Sequence, residues 1–390
     1  MTDFLIKNVT LVTAENLLPD YGILIHNQQI SAVFPLKELP PSARPAETLD
    51  AQGAWAMPGL IDLHIHGFAG YGPELGTPEA LWQMSLALAR QGVSAFCPTL
   101  YCAQPAAMEE TLRRLAPALG KEQGARILGF HLEGPFISPL KPGVMKPQDI
   151  QPVNLSVLEK LYAAAQGHIT AITFAPELEN STAILDFCQA HHILPQAGHT
   201  NATYEQFVQM LPRGLTHTTH AFNAMSSFTQ RAPGVMGAVL MCPEVSCEII
   251  ADGVHVHPQI ISFLRTVKKA GKIILVTDAL LPTAQPAGPY VANGEEVIFE
   301  GGVWRRRTDK VTAGSALTMT KGIENLVKFG YPLPQAVRCA SYNPAQLLHL
   351  KNRGQLAPGF QADITLLNPD FTPKAVFIEG KQVDLSAPNC

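Results

Sequence analysis

The stretch Leu60-Ile61-Asp62-Leu63-His64-Ile65-His66 reads as a buried β-strand that ends in metal-type side chains. His64 and His66 stand two apart, so in a strand both project from one face. Seven further short apolar runs follow, at Val93–Phe96, Ile127–Phe130, Ile169–Phe174, Ile193–Gln196, Leu215–Thr219, Val245–Ile250 and Ile273–Thr277. Helical patterns separate most of them. In one, Thr77 is suited to cap the N-terminus, Pro78 to open the first turn and Gly92 to close the helix. Others are Val157–Gln166, Tyr204–Leu211, Gln259–Ala270 and Gln335–Leu348. Strands alternating with helices in this way predict a TIM-type (β/α)8 barrel. An open doubly wound sheet is the rival, weakened because no GxGxxG or Walker loop follows a strand.

The two ends of the chain share a different texture. Residues 1–56 alternate apolar and polar, as in Phe4-Leu5-Ile6-Lys7-Asn8-Val9, and Ala362-Asp363-Ile364-Thr365-Leu366-Leu367 repeats the pattern. Termini often lie close together, so residues 1–56 plus 350–390 are expected to form one small β domain beside a barrel of residues 57–349.

With 46% hydrophobic and 15% charged residues, the 390-residue chain can bury a large core and is not of the disordered class. The net charge of −4 comes without a basic stripe, which argues against a nucleic-acid partner. No run reaches the roughly 18 apolar residues of a membrane span, and no signal peptide is visible. Seven cysteines scattered from Cys97 to Cys390 with no CxxC pair suit reduced thiols, so the expected location is the cytoplasm.

In such a barrel the active site forms at the C-terminal ends of the strands. The first run ends in His64 and His66, the third leads to Glu133, the fifth to His199, the sixth to His220, the seventh to Asp252 and His255, and the eighth to Asp278. Imidazoles and carboxylates gathered at one rim suit a divalent transition metal, Zn²⁺ or Fe²⁺, as one or two ions. A carboxylate such as Glu133 at the end of a buried strand is costly unless it is paired or metal-bound. Asp278 closes the last strand, where an acid suits a general base beside metal-activated water. His217 faces away from His220 in strand geometry and is left outside the metal set.

These residues carry a resemblance that covers almost the whole chain. Pro58-Gly59-Leu60-Ile61-Asp62-Leu63-His64-Ile65-His66-Gly67, His131-Leu132-Glu133-Gly134-Pro135-Phe136, Gly198-His199-Thr200 and Thr219-His220-Ala221-Phe222-Asn223-Ala224-Met225 resemble the amidohydrolase superfamily. Ala251-Asp252-Gly253-Val254-His255, Val276-Thr277-Asp278-Ala279 and Ala313-Gly314-Ser315 extend the match. Within the superfamily, HLEGP and TH-x-F-N-A-M are similar to the deacetylases of N-acetylglucosamine 6-phosphate. The resemblance implies a barrel with a small β-sandwich and a homodimer. It implies that Glu133, His199 and His220 hold the main metal, and His64 and His66 a second one. Asp278 is implied as acid/base, and Asn223, Ala224 and His255 as sugar-phosphate contacts. Arg231 is implied as a phosphate contact, from its own or the neighbouring subunit. Its forked guanidinium suits a phosphate. Thr312, Ala313 and Gly314 are implied to line the sugar pocket, and Val144 and Met145 are counted among the substrate-binding positions.

One position departs from the pattern. Where the family carries a histidine twelve residues beyond the glutamate, thought to polarise the acetyl carbonyl, this chain has Met145. Methionine cannot donate a hydrogen bond. A second ion at His64 and His66, or Lys141 or Lys146, could take over that work, or the substrate could be N-acetylgalactosamine 6-phosphate instead. A cyclic-amide hydrolase or base deaminase on the same barrel would commonly use a carbamylated lysine or a different His/Asp set, and no lysine ends the fourth strand, where Phe174-Ala175-Pro176-Glu177 stands. A non-catalytic barrel kept as a structural protein is the reading from a different class.

Overall fold

The computed structural model describes residues 3–39, 45–286 and 288–386. The eight apolar runs supply parallel strands to one nine-stranded sheet; the third run splits at Leu128-Gly129, and the extra short strand Arg126–Ile127 pairs with Val93–Leu100. Eight of the strands follow one another round the barrel. They are β1 (Leu60–Ile65), β2 (Val93–Leu100), β3 (Phe130–Glu133), β4 (Ile169–Phe174), β5 (Leu194–Ala197), β6 (His217–Thr218), β7 (Ser246–Ile250) and β8 (Ile273–Val276). Their order in space is their order in sequence, as in a (β/α)8 barrel. The seam between β8 and β1 closes through Asp62, whose carboxylate accepts from the N–H and hydroxyl of Thr277 at 3.2 and 2.6 Å. Beyond it, Asp278 N–H donates to the His64 carbonyl at 2.8 Å, and His66 N–H to Ala279 at 2.9 Å.

The pairing of β1 with β2 shifts register between Asp62 and Ile65. Ile61 and Leu63 share one face by ordinary alternation and join Ala95, Cys97, Ile274 and Val276 in an apolar cluster, whereas past the shift Ile65 turns into the other, larger core with Leu60 and Phe96. The extra residue lets His64 and His66 replace aliphatic side chains at the end of the strand.

The predicted cap is present: the Thr77 hydroxyl accepts from Ala80 N–H, and Gly92 adopts φ +85° just past the helix Pro78–Arg90. The single helix expected over Gln335–Leu348 is instead two, Leu333–Ala340 and Tyr342–Leu347. Pro344 has no N–H to give the carbonyl of Ala340, so the helix breaks at Ser341.

Strands from both termini form a separate eight-stranded sheet, in which Trp55–Pro58 links Asp3–Val12 to Ile364–Leu367. The pairing of Met57 and Pro58 with Thr365 and Ile364 carries this sheet past residue 56. Arg126, in the short strand Arg126–Ile127 paired to β2, reaches Glu379 at 2.5 Å, and Arg353 bridges Glu379 and the buried Asp363. This ion cluster ties the terminal sheet to the barrel.

A third sheet is absent from the sequence reading. Tyr290–Ala292, Glu295–Glu300, Val303–Arg306 and Thr312–Ser315 make a four-stranded antiparallel sheet inserted after β8. Its last strand returns to the barrel, where Ser315 N–H donates to the Asp278 carbonyl at 2.9 Å. Thr312, Ala313 and Gly314 are thereby brought over the barrel mouth.

Among the described residues, Cys97, Cys102, Cys188, Cys242, Cys247 and Cys339 are buried free thiols. Cys390 lies outside the described residues. No helix among the described residues is long and apolar enough to cross a membrane.

Candidate metal centre

Glu133 is the last residue of β3, and His199, His220 and Asp278 each follow a strand by two residues. Those three adopt φ of +47°, +25° and +50°. Left-handed backbone is unusual for a side chain larger than glycine and turns each group over the barrel mouth. Gly198, before His199, has no room for a side chain: a Cβ there would stand 2.7 Å from Thr173 and Thr219.

Two ligand triads result, Glu133–His199–His220 and His64–His66–Glu133. In the first, Glu133 Oε1 lies 3.1 Å from His199 Nε2 and 3.0 Å from His220 Nε2. In the second, His66 Nε2 lies 3.2 Å from Glu133 Oε2, and His64 Nε2 lies 3.5 Å from Oε1. Asp278 Oδ1 completes the rim at 3.4 Å from His66 Nε2 and 3.6 Å from His64 Nε2.

The histidines are aimed from behind. His199 Nδ1 donates to the Lys141 carbonyl at 3.0 Å, His66 Nδ1 to the Thr99 carbonyl at 3.2 Å, and His64 Nδ1 faces Glu248 at 3.1 Å. Partners of this kind leave Nε2 of each ring for a metal. Gly143 closes against His199: it adopts φ +58°, and a Cβ there would stand 3.0 Å from the imidazole.

The donor set fits a divalent ion. His64 Nε2 is buried and has no hydrogen-bond partner. Burial alone would raise the Glu133 carboxyl, but the surrounding histidines outweigh it and hold it well below the usual range. The same competition, led by His66 against burial, lowers Asp278. Burial would push His64 down, yet Glu133, Glu248 and Asp278 raise it to about 10. Buried carboxylates so placed call for cationic charge, from protons or from an ion.

A cavity of about 500 Å³ opens above the centre. It is lined by His66, Glu133, His199, His220 and Asp278, and by the expected Asn223, Ala224, His255, Val144, Met145, Thr312, Ala313 and Gly314. His255 is oriented by Asp252, whose carboxylate lies 2.5 Å from its Nδ1. Arg231 is exposed on its loop and is not among the residues lining the cavity. Met145 is buried in an apolar cluster with Tyr101, Ile137, Leu280 and Trp304. Lys141 lines the cavity, whereas the Lys146 ammonium lies beside Gly294.

Two neighbours of the centre escaped the sequence reading. Tyr101 stacks on His66 with ring centroids 3.7 Å apart. Pro98 disguised the full length of β2, which runs on to Leu100 and delivers Tyr101 to the mouth. Glu248 is fully buried in the middle of β7. The signal was an acid inside an apolar run, which needs a buried partner.

The chain matches the Amidohydrolase family over residues 55–383. It is 30% identical to the N-acetylgalactosamine-6-phosphate deacetylase of Escherichia coli O157:H7, over 95% of this chain and 97% of that one. It is also 30% identical to the N-acetylglucosamine-6-phosphate deacetylase of Lysinibacillus sphaericus, over 93% of each chain. The structure of the N-acetyl-D-glucosamine-6-phosphate deacetylase of Mycobacterium smegmatis superposes with a TM-score of 0.90 at 29% identity, covering 98% of this chain and 100% of that one. With its eight strand ends, its histidine and carboxylate rim and these likenesses together, the chain belongs to the amidohydrolase family.

Proposed function

We propose that this protein is a metal-dependent deacetylase that hydrolyses N-acetyl-D-glucosamine 6-phosphate to D-glucosamine 6-phosphate and acetate. The observation that carries the reading is the convergence of four imidazole nitrogens and two carboxylates beneath one cavity, with His66, His199, His220, Glu133 and Asp278 lining it and His64 buried just behind. Relatives named as deacetylases of amino-sugar 6-phosphates, similar over more than nine-tenths of the chain, support it. The barrel of residues 57–349 would be the hydrolase domain, with residues 1–56 and 350–390 beside it.

Glu133, His199 and His220 would hold one ion, and His64 and His66, sharing Glu133, a second; Zn²⁺ and Fe²⁺ both suit these donors. A bound ion of this kind polarises the acetyl carbonyl and lowers the pKa of nearby water from about 15.7 to about 7. Asp278 is the acid/base. Its carboxylate takes a proton as water adds to the carbonyl carbon, then delivers it to the amine nitrogen as the C–N bond breaks. Thr312, Ala313, Gly314, Asn223, Ala224 and His255 would hold the sugar phosphate. Arg231 would reach the phosphate of a neighbouring subunit's site in a homodimer, which its exposed loop allows. We place the enzyme in the cytoplasm, where buried free thiols stay reduced.

Met145 favours a second reading on the same scaffold. A thioether packed among apolar side chains supplies no donor to the acetyl oxygen, so substrate handling here departs from the family pattern. N-acetylgalactosamine 6-phosphate is the alternative substrate. Acetate release measured on a panel of N-acetylhexosamine 6-phosphates decides. The gluco sugar is expected to give the highest kcat/KM, and a galacto sugar better by more than tenfold would replace the primary assignment.

A further inference from the structure

Glu248 belongs to neither ligand triad, yet it touches both. Its Oε2 lies 3.1 Å from His64 Nδ1 and 3.1 Å from the backbone nitrogen of His220. Its Oε1 stands 3.7 Å from His217 Nε2. All three histidines and Glu248 are buried. A carboxylate placed in the middle of a barrel strand would be costly without a role of this kind.

The far side of the His64 ring bears on what that role is. There Nε2 has no hydrogen-bond partner and faces Glu133 Oε1 and Asp278 Oδ1 at 3.5 and 3.6 Å. Those distances are too long for a hydrogen bond but suit two groups sharing an ion. The ring plane is also fixed. His131 packs edge-on beneath it, with centroids 4.6 Å apart at 85°, and is itself held by Thr99 and Thr173. The ring therefore has little freedom to turn, and what it offers the centre depends on which nitrogen carries the proton.

We infer that Glu248 is a positioning residue: by accepting the Nδ1 proton it fixes His64 as the tautomer whose Nε2 lone pair faces the centre, and so decides whether the His64–His66–Glu133 triad takes an ion. The inference rests on the metal-centre reading above. Glu248 touches no substrate and acts through His64. The same carboxylate oxygen receives the His220 amide, which links the placement of the two triads.

The test is a Zn²⁺ titration of chelator-stripped protein by calorimetry, with elemental analysis of the reloaded protein. Wild type is expected to bind two ions per chain. Glu248→Gln keeps an oxygen where His64 and His220 donate, so both ions should still bind, the second no more than about tenfold more weakly. Glu248→Met removes the acceptor, and the second ion should weaken by at least the 10- to 100-fold typical of lost outer partners, leaving one ion bound. His64→Ala should reproduce that single-ion state. Should Glu248→Met fail to fold, Glu248→Asp, which withdraws the carboxylate by one methylene, is expected to weaken the second step selectively. Unchanged binding of both ions in the Met variant, or equal weakening of both steps in Gln and Met or in Asp, overturns the inference alone. A wild-type chain that takes up a single ion overturns the two-ion reading and this inference with it.

Discussion

Nε2 of His199 and Nε2 of His220 lie 3.2 Å apart. Two ligands on a tetrahedral ion with bonds of roughly 2.05 Å would stand about 3.3 Å apart, so the pair is already at coordination distance. Chelation is therefore expected to abolish acetate release, and added Zn²⁺ or Fe²⁺ to restore it. An ion that binds only the folded chain stabilises it by about 2.7 kcal/mol at a hundredfold excess over Kd. Scanning calorimetry should find a higher Tm for the loaded form, and His199→Ala should reduce the difference. A Tm indifferent to metal in the wild type would count against the centre.

Asp278 is held ionised at the cavity floor beside His66, where it can exchange a proton with water. Asp278→Asn removes the base and leaves both ligand triads in place. The expected loss in kcat is about 10²- to 10⁴-fold, with KM changed little and metal content unchanged. Undiminished turnover would remove Asp278 from its role.

Met145 packs among apolar neighbours and offers the substrate no donor. Met145→Leu conserves volume, so it should cost less than about 1.5 kcal/mol of stability. Its kcat should stay within about threefold of wild type. A hundredfold fall, measured on folded protein, would mean that the thioether does more than fill space.

Glu379 sits between Arg126 and Arg353, at the junction of barrel and terminal sheet. The Arg126 hydrogen bond, against burial, holds its carboxyl below the usual glutamate value. A group with a lowered folded pKa contributes stability above its unfolded pKa of about 4.3, and that contribution is lost as pH falls through the folded value. Solvent screening limits it to about 1 kcal/mol. Denaturant midpoints at pH 7 and pH 3 should differ less in Glu379→Gln than in wild type. An equal difference in the two proteins would show that the cluster adds nothing.

Much of the barrel was legible in the sequence because its strands are buried on both faces and read as short apolar runs. The metal-type residues were legible because each follows such a run, as His199 follows β5 and His220 follows β6. The inserted sheet at 290–315 was not legible. Its strand Glu295–Glu300 is half solvent-facing and lacks the buried apolar run of a barrel strand, although the turns that flank it, Asn293-Gly294 and Gly301-Gly302, are hairpin signals that a reading for barrel strands passes over. Tyr101 stayed hidden because Pro98 lies in a strand position that proline usually vacates.

By itself, the order of residues determined the architecture and the kind of chemistry. Periodicity fixes which segments must be buried, and a strand end fixes which side chains reach the rim. Distances across the rim were decided only by the closed barrel. Glu133 meets His199 and His220 because β3, β5 and β6 are held in one cylinder, although 66 and 87 residues separate them. The role of Glu248 likewise required the fold, since burial inside a strand shows that an acid needs a partner but not that the partner is His64, 184 residues away.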